Sequence, residues 1–214
     1  MKWITEPTNH REYLMNEVSY THDGRLLDYN GNAVMMKWED PIMRDAASLI
    51  CRDGGKILNV GFGLGLIDNY IQSHKIDEHW IIEAHPGVIK QMKKEEWDKK
   101  PNVTCIFDKW QNVYKELPKF DGIYFDTWQE SSEDFHKIVE ALLNIGAKYL
   151  WFSGQVIPNS ILKNLIKKGF KLEETITTLE EITKEQKRKG GQYWNSDWKE
   201  FKQNLLIFNK QINK

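Results

Sequence analysis

The sequence predicts an α/β fold in which helices cover both faces of a largely parallel sheet. Short apolar runs suited to buried strands alternate with amphipathic helical segments between residues 56 and 168. Three glycines, at positions 61, 63 and 65, follow the first of these runs directly. Two other strands end in a carboxylate, Glu83 and Asp126. Because ligands of open α/β sheets bind beyond the carboxyl ends of the strands, these features also indicate where a site lies.

Each predicted element rests on its apolar pattern. Continuous apolar runs indicate strands that are buried on both faces, and apolar residues three or four positions apart indicate helices. Two closing strands, joined by a polar loop, are expected to form an antiparallel edge. The predicted strands are 57–60, 79–82, 102–107, 120–125, 148–152, 170–178 and 204–208, and the helices are 66–71, 85–95, 110–117, 132–145 and 159–168.

The glycine turn and Glu83 predict a site for a nucleoside cofactor. Glycine tolerates a positive φ and lets a ligand approach the backbone closely. Glu83 lies 22 residues beyond Gly61, where a carboxylate can bind both hydroxyls of a ribose. A dinucleotide site favours G-x-G-x-x-G, whereas this chain has G-x-G-x-G with Leu66 at the third glycine position. The pattern favours S-adenosylmethionine, and with the strand order it predicts a Rossmann-like, seven-stranded class I S-adenosylmethionine-dependent methyltransferase fold.

Length and composition limit the class of protein. A chain of 214 residues with 40% hydrophobic and 29% charged residues is ordinary for one globular domain. The net charge of -1 gives no reason to expect a nucleic-acid partner. Cys51 and Cys105 lack metal-ligand spacing, so we expect reduced thiols and no metal. Because no apolar run is long enough for a membrane span or a signal peptide, we expect a cytoplasmic protein with no membrane contact.

Residues 1–40 are expected to form an extension that covers the cofactor face of a catalytic domain at 41–214. Asp23-Gly24 and Asn30-Gly31 are strong hairpin-turn signals, and short strand-like pieces flank them. Asp40-Pro41 indicates the start of a helix, with Asp as the N-cap and Pro in the first turn.

Four stretches of the chain resemble the guanidino-group N-methyltransferases, in sequence and in order. Two branches share the resemblance: guanidinoacetate methyltransferase, and the fungal-type arginine methyltransferase that modifies the internal δ nitrogen. The EAHP and WEDPIM motifs are closer to the arginine branch, whereas IDEHWIIE is closer to the guanidinoacetate branch. The stretches are VMMKWEDPIM (34–43), LNVGFGLGLID (58–68), IDEHWIIEAHPGV (76–88) and FDGIYFDT (120–127).

Two acidic residues match the carboxylates that hold the guanidino group in both branches. Glu39 matches the glutamate of the W-E motif, and Asp126 matches the second aspartate of the F-D-G-I-x-x-D motif. The resemblance therefore implies that Glu39 and Asp126 are the catalytic residues. Two carboxylates can each accept paired N–H bonds from the planar guanidinium, fix which nitrogen faces the sulfonium methyl, and take its proton. The alternative for Glu39 is an acid that complements the dipole of a helix start.

The resemblance also extends the predicted cofactor site. Met35 and Met43 match methionines that touch the cofactor in the related enzymes, and Lys109 and Trp110 match a position beside the adenine. Ordinary packing is the alternative for these four residues, and Phe62 is expected at the edge of the cleft. His85 either closes the adenosine pocket or is a solvated helix-start residue. The predicted cofactor contacts are Met35, Met43, Gly61, Phe62, Gly63, Leu64, Gly65, Leu66, Glu83, Ala84, His85, Lys109, Trp110 and Asp126.

The resemblance implies an S-adenosylmethionine-dependent N-methyltransferase that modifies a guanidino nitrogen of arginine or a close small analogue. Guanidinoacetate and a protein arginine stay open as substrates, because residues 10–35 and 153–198, which should read the far end of the substrate, match the families least well. A homodimer also stays open. The missing third glycine argues against a dinucleotide-dependent oxidoreductase, and the pair of acids argues against a non-catalytic adenosyl-ligand binder. The basic, aromatic stretch at 184–198 is expected to be a solvated loop.

Overall fold

The first part of the structure is a helix followed by a small antiparallel sheet. The structure is a computed structural model, and it describes residues 8–153, 157–179 and 200–209. The hairpin turn predicted at Asn30-Gly31 is present, and Gly31 has the positive φ of 79° that such a turn requires. In chain order the elements are α1 (Thr8–Met15), β1 (Ser19–Tyr20), β2 (Arg25–Leu27), β3 (Ala33–Met36), a 3₁₀ turn (Lys37–Glu39) and α2 (Asp40–Ile50).

A seven-stranded sheet forms the centre of the structure. Its strands are β4 (Lys56–Val60), β5 (Glu78–Ile82), β6 (Val103–Ile106), β7 (Phe120–Phe125), β8 (Leu143–Trp151), β9 (Phe170–Leu179) and β10 (Glu200–Phe208). They lie in the order β6-β5-β4-β7-β8-β10-β9, and β10 runs antiparallel to both of its neighbours. The other pairings, from β6 across to β8, are parallel. The predicted α/β class, the seven strands and the antiparallel final pair are therefore confirmed.

Helices connect the strands and cover both faces of the sheet. Separate apolar clusters lie on the two faces, one around Met43 and Tyr124 and the other around Phe125 and Phe135. Within the described residues, no helix is long and apolar enough to cross a membrane. The predicted loop at 184–198 lies outside the described residues. The remaining helices are α3 (Leu66–Ser73), α4 (Pro86–Lys94), α5 (Trp110–Val113), α6 (Ser132–Ile138) and α7 (Asn159–Lys167).

The prediction of one helix over 132–145 is wrong in its second half. Helix α6 ends at Ile138, a 3₁₀ turn follows, and strand β8 already begins at Leu143. Leu143 pairs with Phe120, after which the register of β7 and β8 shifts. Gly146, with φ of 86°, lies in this irregular stretch. Apolar spacing could not locate the helix end, because a 3₁₀ turn places apolar residues toward the core at nearly the same intervals.

Helix α2 lies directly against strand β7. Gly122 permits this approach, because a Cβ at that position would lie 2.4 Å from the carbonyl oxygen of Ile50. From this contact α2 extends about 16 Å back to Glu39, and β7 extends about 13 Å forward to Asp126. Because the charge of Asp126 acts on the Glu39 carboxyl, these two residues lie close to each other. Helix α2 therefore runs antiparallel to strand β7. The start of α2 and the end of β7 therefore lie at the same edge of the sheet.

Candidate active site

A cavity of about 490 Å³ opens at the carboxyl ends of the central parallel strands. Its walls come from the segments that follow β4, β5, β6, β7 and β8, and from the N-terminal part of the chain. This is the edge at which the sequence placed the site. The lining residues are His10, Tyr13, Leu14, Val34, Met35, Val60, Gly61, Gly63, Ile82, Glu83, Ala84, Asp108–Gln111, Phe125–Ser132 and Phe152.

The glycine turn after β4 is shaped by close approach of other groups. Gly61 has φ of 96°, and a Cβ there would lie 1.8 Å from the backbone oxygen of Asp126. Gly63 has φ of 56°, and a Cβ there would lie 2.9 Å from Met35 Sδ. The Leu64 N–H donates to the same sulfur at 3.3 Å. The turn therefore depends on glycine both for its backbone conformation and for the space that Asp126 and Met35 occupy.

Glu83 holds the glycine turn to the end of β5. Its Oε2 accepts the Phe62 N–H at 2.9 Å, and its Oε1 accepts the His85 N–H at 2.7 Å. Burial raises the pKa of the Glu83 carboxyl, and the surrounding backbone N–H donors partly oppose that rise. Glu83 therefore fixes the turn at the wall of the cavity that it lines.

A buried polar cluster supports the glycine turn from beneath. Asn59, Asp68 and His79 are fully buried. Asn59 Nδ2 donates to the Gly61 carbonyl at 2.9 Å and to both Asp68 oxygens at 3.0 Å. His79 Nε2 lies 3.1 Å from Asp68 Oδ1, as a close contact rather than a well-directed hydrogen bond. Gln72 Nε2 lies 3.0 Å from His79 Nδ1. The cluster thereby ties α3 and β5 to the carbonyl of the first turn glycine.

Glu39 lies at the entrance to α2, where it is buried and is not among the residues that line the cavity. Its Oε1 accepts the Met36 N–H at 2.8 Å. Burial and then the charge of Asp126 raise the pKa of Glu39 well above its usual value, and the bond from Met36 opposes this. Glu39, not the predicted Asp40, occupies the N-cap position of α2, and its side chain makes no cap bond to that helix.

Asp126 follows the end of β7 and lines the cavity. Its N–H donates to the Val60 carbonyl at 2.9 Å, which fixes it beside the glycine turn. Although the residue keeps some accessible surface toward the cavity, the protein around its carboxyl raises the pKa to about 7. Burial raises the pKa of both acids, and because the two carboxyls interact they titrate as a pair. Two neighbouring carboxyls are thus held in a poorly solvated place.

The predicted cofactor residues divide into two groups. Eight of the fourteen line the cavity: Met35, Gly61, Gly63, Glu83, Ala84, Lys109, Trp110 and Asp126. The other six do not: Met43, Phe62, Leu64, Gly65, Leu66 and His85. Met43 is fully buried in the core. The expectation for Phe62 is wrong, because its side chain is in the core, edge-to-face with Trp97 at 5.2 Å, instead of at the cleft edge.

His85 is buried and contacts the C-terminal end of α1, so the alternative of a solvated helix-start residue is wrong. Only 1% of the residue is exposed. Its Nδ1 accepts the Gly87 N–H at 3.0 Å, so its Nε2 carries the proton and donates to the carbonyls of Tyr13 and Asn16, both at 3.1 Å. The Tyr13 ring packs on the imidazole with centroids 4.4 Å apart. Burial lowers the pKa of His85, which favours this neutral form.

Several cavity residues were missed by sequence reasoning. Tyr13 on α1 lines the cavity, and burial and then the charge of Glu83 raise the pKa of its phenol. Glu130 accepts the Trp110 indole N–H at 3.0 Å and also bonds Gln111. The only sequence signal for Glu130 is its position in the loop that follows the strand ending in Asp126. For Tyr13 no signal exists, because an N-terminal helix can be placed over a sheet only by its tertiary contacts.

Trp128 connects the N-terminal part to the loop after β7. Its carbonyl lies 3.0 Å from His10 Nδ1, and its indole N–H donates to Asp28 Oδ2 at 3.3 Å. Asp28 in turn accepts the backbone N–H groups of Asn30 and Asn32 with Oδ1, each at 2.9 Å. The Asp28 side chain therefore orders the hairpin turn and, through Trp128, holds it to a wall of the cavity.

The sequence was compared with known families and proteins. Residues 8–190 match the family described as guanidinoacetate N-methyltransferase. Protein arginine N-methyltransferase 2 of Aspergillus oryzae is 42% identical over 156 residues, which cover 69% of this chain and 37% of that protein. Its counterpart from Yarrowia lipolytica is 40% identical over 157 residues, which cover 67% and 33%. The chain therefore spans only about a third of the length of these relatives.

Solved structures with the same fold are distant in sequence. N-methyltransferase NodS from Bradyrhizobium japonicum WM9, in complex with S-adenosyl-L-homocysteine, has a TM-score of 0.59 at 10% identity over 81% of this chain and 89% of that chain. Spermidine synthase from Thermotoga maritima has a TM-score of 0.58 at 10% identity over 91% and 73%. These similarities, with the strand order, confirm the predicted class I methyltransferase fold. The match over residues 8–190 shows that the chain belongs to the family described as guanidinoacetate N-methyltransferase.

Proposed function

We propose that this protein transfers a methyl group to a guanidino nitrogen of arginine or a close small analogue, with Glu39 and Asp126 holding the guanidinium. The observation that carries the proposal is the pair of neighbouring, poorly solvated carboxyls beside the glycine turn. Among the described residues, neither carboxyl forms an ion pair with a lysine, arginine or histidine. Two such acids are costly to ionise together, and a cation with several N–H donors offsets that cost.

A guanidinium fits the carboxyl pair better than an ammonium does. It is planar, stays charged at neutral pH, and presents five N–H donors in a rigid fork, so acids on two sides can each accept from it. The acids thereby fix the plane of the cation and select the nitrogen that faces the methyl donor. Because Asp126 has a pKa of about 7, it can also accept the proton that this nitrogen loses.

The residues that line the cavity fit S-adenosylmethionine. Gly61 and Gly63 let the turn pass close to Asp126 and Met35, and all four residues line the cavity. Glu83 also lines the cavity, where it is the proposed acceptor for ribose hydroxyls. When bound, this cofactor supplies an activated methyl group on a sulfonium. The chain itself supplies alignment, which is a major source of catalysis in a bimolecular transfer.

The segment up to residue 40 is proposed to cover this site. Tyr13, whose carbonyl His85 binds, lines the cavity, and so do His10 and Trp128, which contact each other. A cover of this kind excludes water from the two acids, which strengthens their interaction with a cation.

The favoured substrate carries the guanidino group of arginine, since the curated relatives at about 40% identity bear the name protein arginine N-methyltransferase 2, and that name also makes a protein arginine a candidate beside free arginine. Guanidinoacetate is the second candidate, and the name of the matching family favours it. A labelled-cofactor assay against arginine, guanidinoacetate, agmatine and an arginine-rich protein separates these substrates. Label in the first or third supports the proposal, label in guanidinoacetate alone selects the second candidate, and label in none of them contradicts both.

Titration calorimetry distinguishes the other classes of function. S-adenosylhomocysteine should bind and NAD should not, because the third glycine of a dinucleotide turn is absent. Cofactor binding without transfer to any guanidino compound would instead indicate a non-catalytic binder.

A further inference from the structure

A buried tyrosine hydroxyl on β7 has no hydrogen-bond partner within the described residues. Tyr124 is fully buried, and its phenolic oxygen is unpaired. Buried Tyr hydroxyls usually find a partner, and an unsatisfied one carries a desolvation cost of about 1–3 kcal/mol. The position of this residue in the fold suggests what the hydroxyl serves.

Tyr124 belongs to the face of the sheet that α2 covers. It shares an apolar cluster with Met43 of α2, whereas its neighbours Ile123 and Phe125 belong to the cluster on the opposite face. Because side chains alternate along a strand, Tyr124 and Asp126 are directed toward the same face. Since α2 runs back along β7 from Gly122, the entrance to α2, with Glu39, lies above this end of the strand.

The charges around Tyr124 agree with this placement. After burial, the charges of Asp126 and Glu39 raise the pKa of its phenol, and no other charged group acts on it comparably. On the neighbouring elements, Lys148 of β8 bonds Asp53, and Asp68 of α3 contacts His79. Among the described residues, the charges that act on the phenol are those of Asp126 and Glu39, the two substrate-binding acids of the proposed function.

We propose that Tyr124 is a positioning residue whose O–H donates a hydrogen bond to the Glu39–Asp126 pair as these acids ionise to receive a guanidinium. This inference rests on the proposed function. In the free protein the two acids share a poorly solvated place and at least one retains its proton. When a cation drives both to the charged form, an O–H···O⁻ bond forms that is stronger than a bond to a neutral acid. The hydroxyl thus stabilises the charge state that holds the substrate, without touching the cofactor.

The test substitutes Tyr124→Phe, which removes one oxygen, and uses Tyr149→Phe as the matched control. Tyr149 is also fully buried with an unpartnered hydroxyl, but it belongs to the cluster on the opposite face. The acid limb of kcat/KM for arginine or guanidinoacetate should move up by about one pH unit in Tyr124→Phe, with a loss of about fivefold at pH 7 that alkaline pH restores. Tyr149→Phe should follow the wild type, and both variants should keep their affinity for S-adenosylhomocysteine.

Each other outcome decides the question. A Tyr124→Phe profile that superimposes on the wild type overturns the inference while leaving the proposed function intact. Loss of S-adenosylhomocysteine affinity in that variant, or the same shift in Tyr149→Phe, indicates a structural role and also overturns it. Calorimetry of arginine and guanidinoacetate with the wild-type S-adenosylhomocysteine complex tests the proposed function separately from the inference. If neither binds, the proposed function itself fails and the inference fails with it.

Discussion

Asp126 and Glu39 differ in how they are held, and this difference gives them different tasks. Asp126 meets the cavity, is fixed by its N–H to the Val60 carbonyl, and has a pKa of about 7. Glu39 is fully buried and does not line the cavity, and one of its oxygens accepts the Met36 N–H. Asp126 is therefore the acid that a cation in the cavity meets first and a proton acceptor near neutrality, and Glu39 is the second, buried carboxylate.

The pH dependence of substrate capture follows from the raised pKa of Asp126. Below about pH 7 the free enzyme carries a protonated Asp126 that cannot accept both N–H bonds of a guanidinium. We expect kcat/KM for the guanidino substrate to rise with pH through this range and then level off. Affinity for S-adenosylhomocysteine should stay nearly constant over the same range. A pH–rate profile paired with calorimetry checks this, and a flat profile across pH 6–8 would contradict it.

Replacing Asp126 by asparagine should stabilise the free protein. A carboxyl whose folded pKa lies above its unfolded value of about 3.9 contributes stability below that value, and the contribution is lost as pH rises through about 7. At pH 8 the wild type therefore carries a buried charge that Asp126→Asn lacks. The melting temperature of the variant should exceed that of the wild type at pH 8, and the difference should shrink as the pH falls toward 4. A lower melting temperature for the variant at pH 8 would show that Asp126 stabilises the free fold.

At the scale of elements, the site depends on two strand ends, those of β5 and β7, and on the start of helix α2. Glycines at 61 and 122 bring β4 and α2 against β7 so closely that a methyl group would not fit at either contact. The strand ends were predictable, because acidic residues closing apolar runs are visible in the sequence. The orientation of Phe62 and Met43 was not, because a side chain in a tight turn or on a fully buried helix can face either way without changing the apolar pattern.

The buried cluster beneath the glycine turn supports a prediction about that element. Asp68→Ala removes the acceptor of Asn59 Nδ2 and the neighbour of His79, leaving both polar groups buried without that partner. We expect a loss of about 3 kcal/mol in the free energy of unfolding and weaker binding of S-adenosylhomocysteine.

Urea unfolding and calorimetry measure both effects of Asp68→Ala. The control is Asp98→Ala at an exposed aspartate, which should change stability by less than about 0.5 kcal/mol. If Asp68→Ala behaves like this control, the cluster does not support the turn.

For the whole molecule, the sequence-based prediction was best where pattern and topology agree. The alternation of strands and helices predicts the sheet, and the sheet places Gly61, Glu83 and Asp126 at one edge. The N-terminal part is different, because α1 is polar and short. Its position depends on the contacts of His85 with the Tyr13 and Asn16 carbonyls, which no local pattern encodes.

Asp28→Ala should loosen the cover without unfolding the sheet. It removes the acceptors for the Trp128 indole and for two N–H groups of the hairpin turn. We expect faster hydrogen exchange and proteolysis in residues 8–36, with little change in the exchange of β4 and β7. Exchange measured by mass spectrometry tests this. Uniformly faster exchange across the chain would mean that Asp28 supports the whole fold. Unchanged exchange in residues 8–36 would mean that the Asp28 contacts are not needed to hold the cover.

Methyl transfer by charge-neutral variants of the two acids tests the central claim most directly. Glu39→Gln keeps an oxygen for the Met36 N–H, and Asp126→Asn keeps the shape of the strand end, so each removes little but charge. With labelled cofactor, wild type should label a guanidino compound, and each variant should lose at least about a hundredfold in kcat while binding S-adenosylhomocysteine within about threefold of wild type. Turnover near the wild-type rate in either variant, or label in no guanidino compound, would contradict the account.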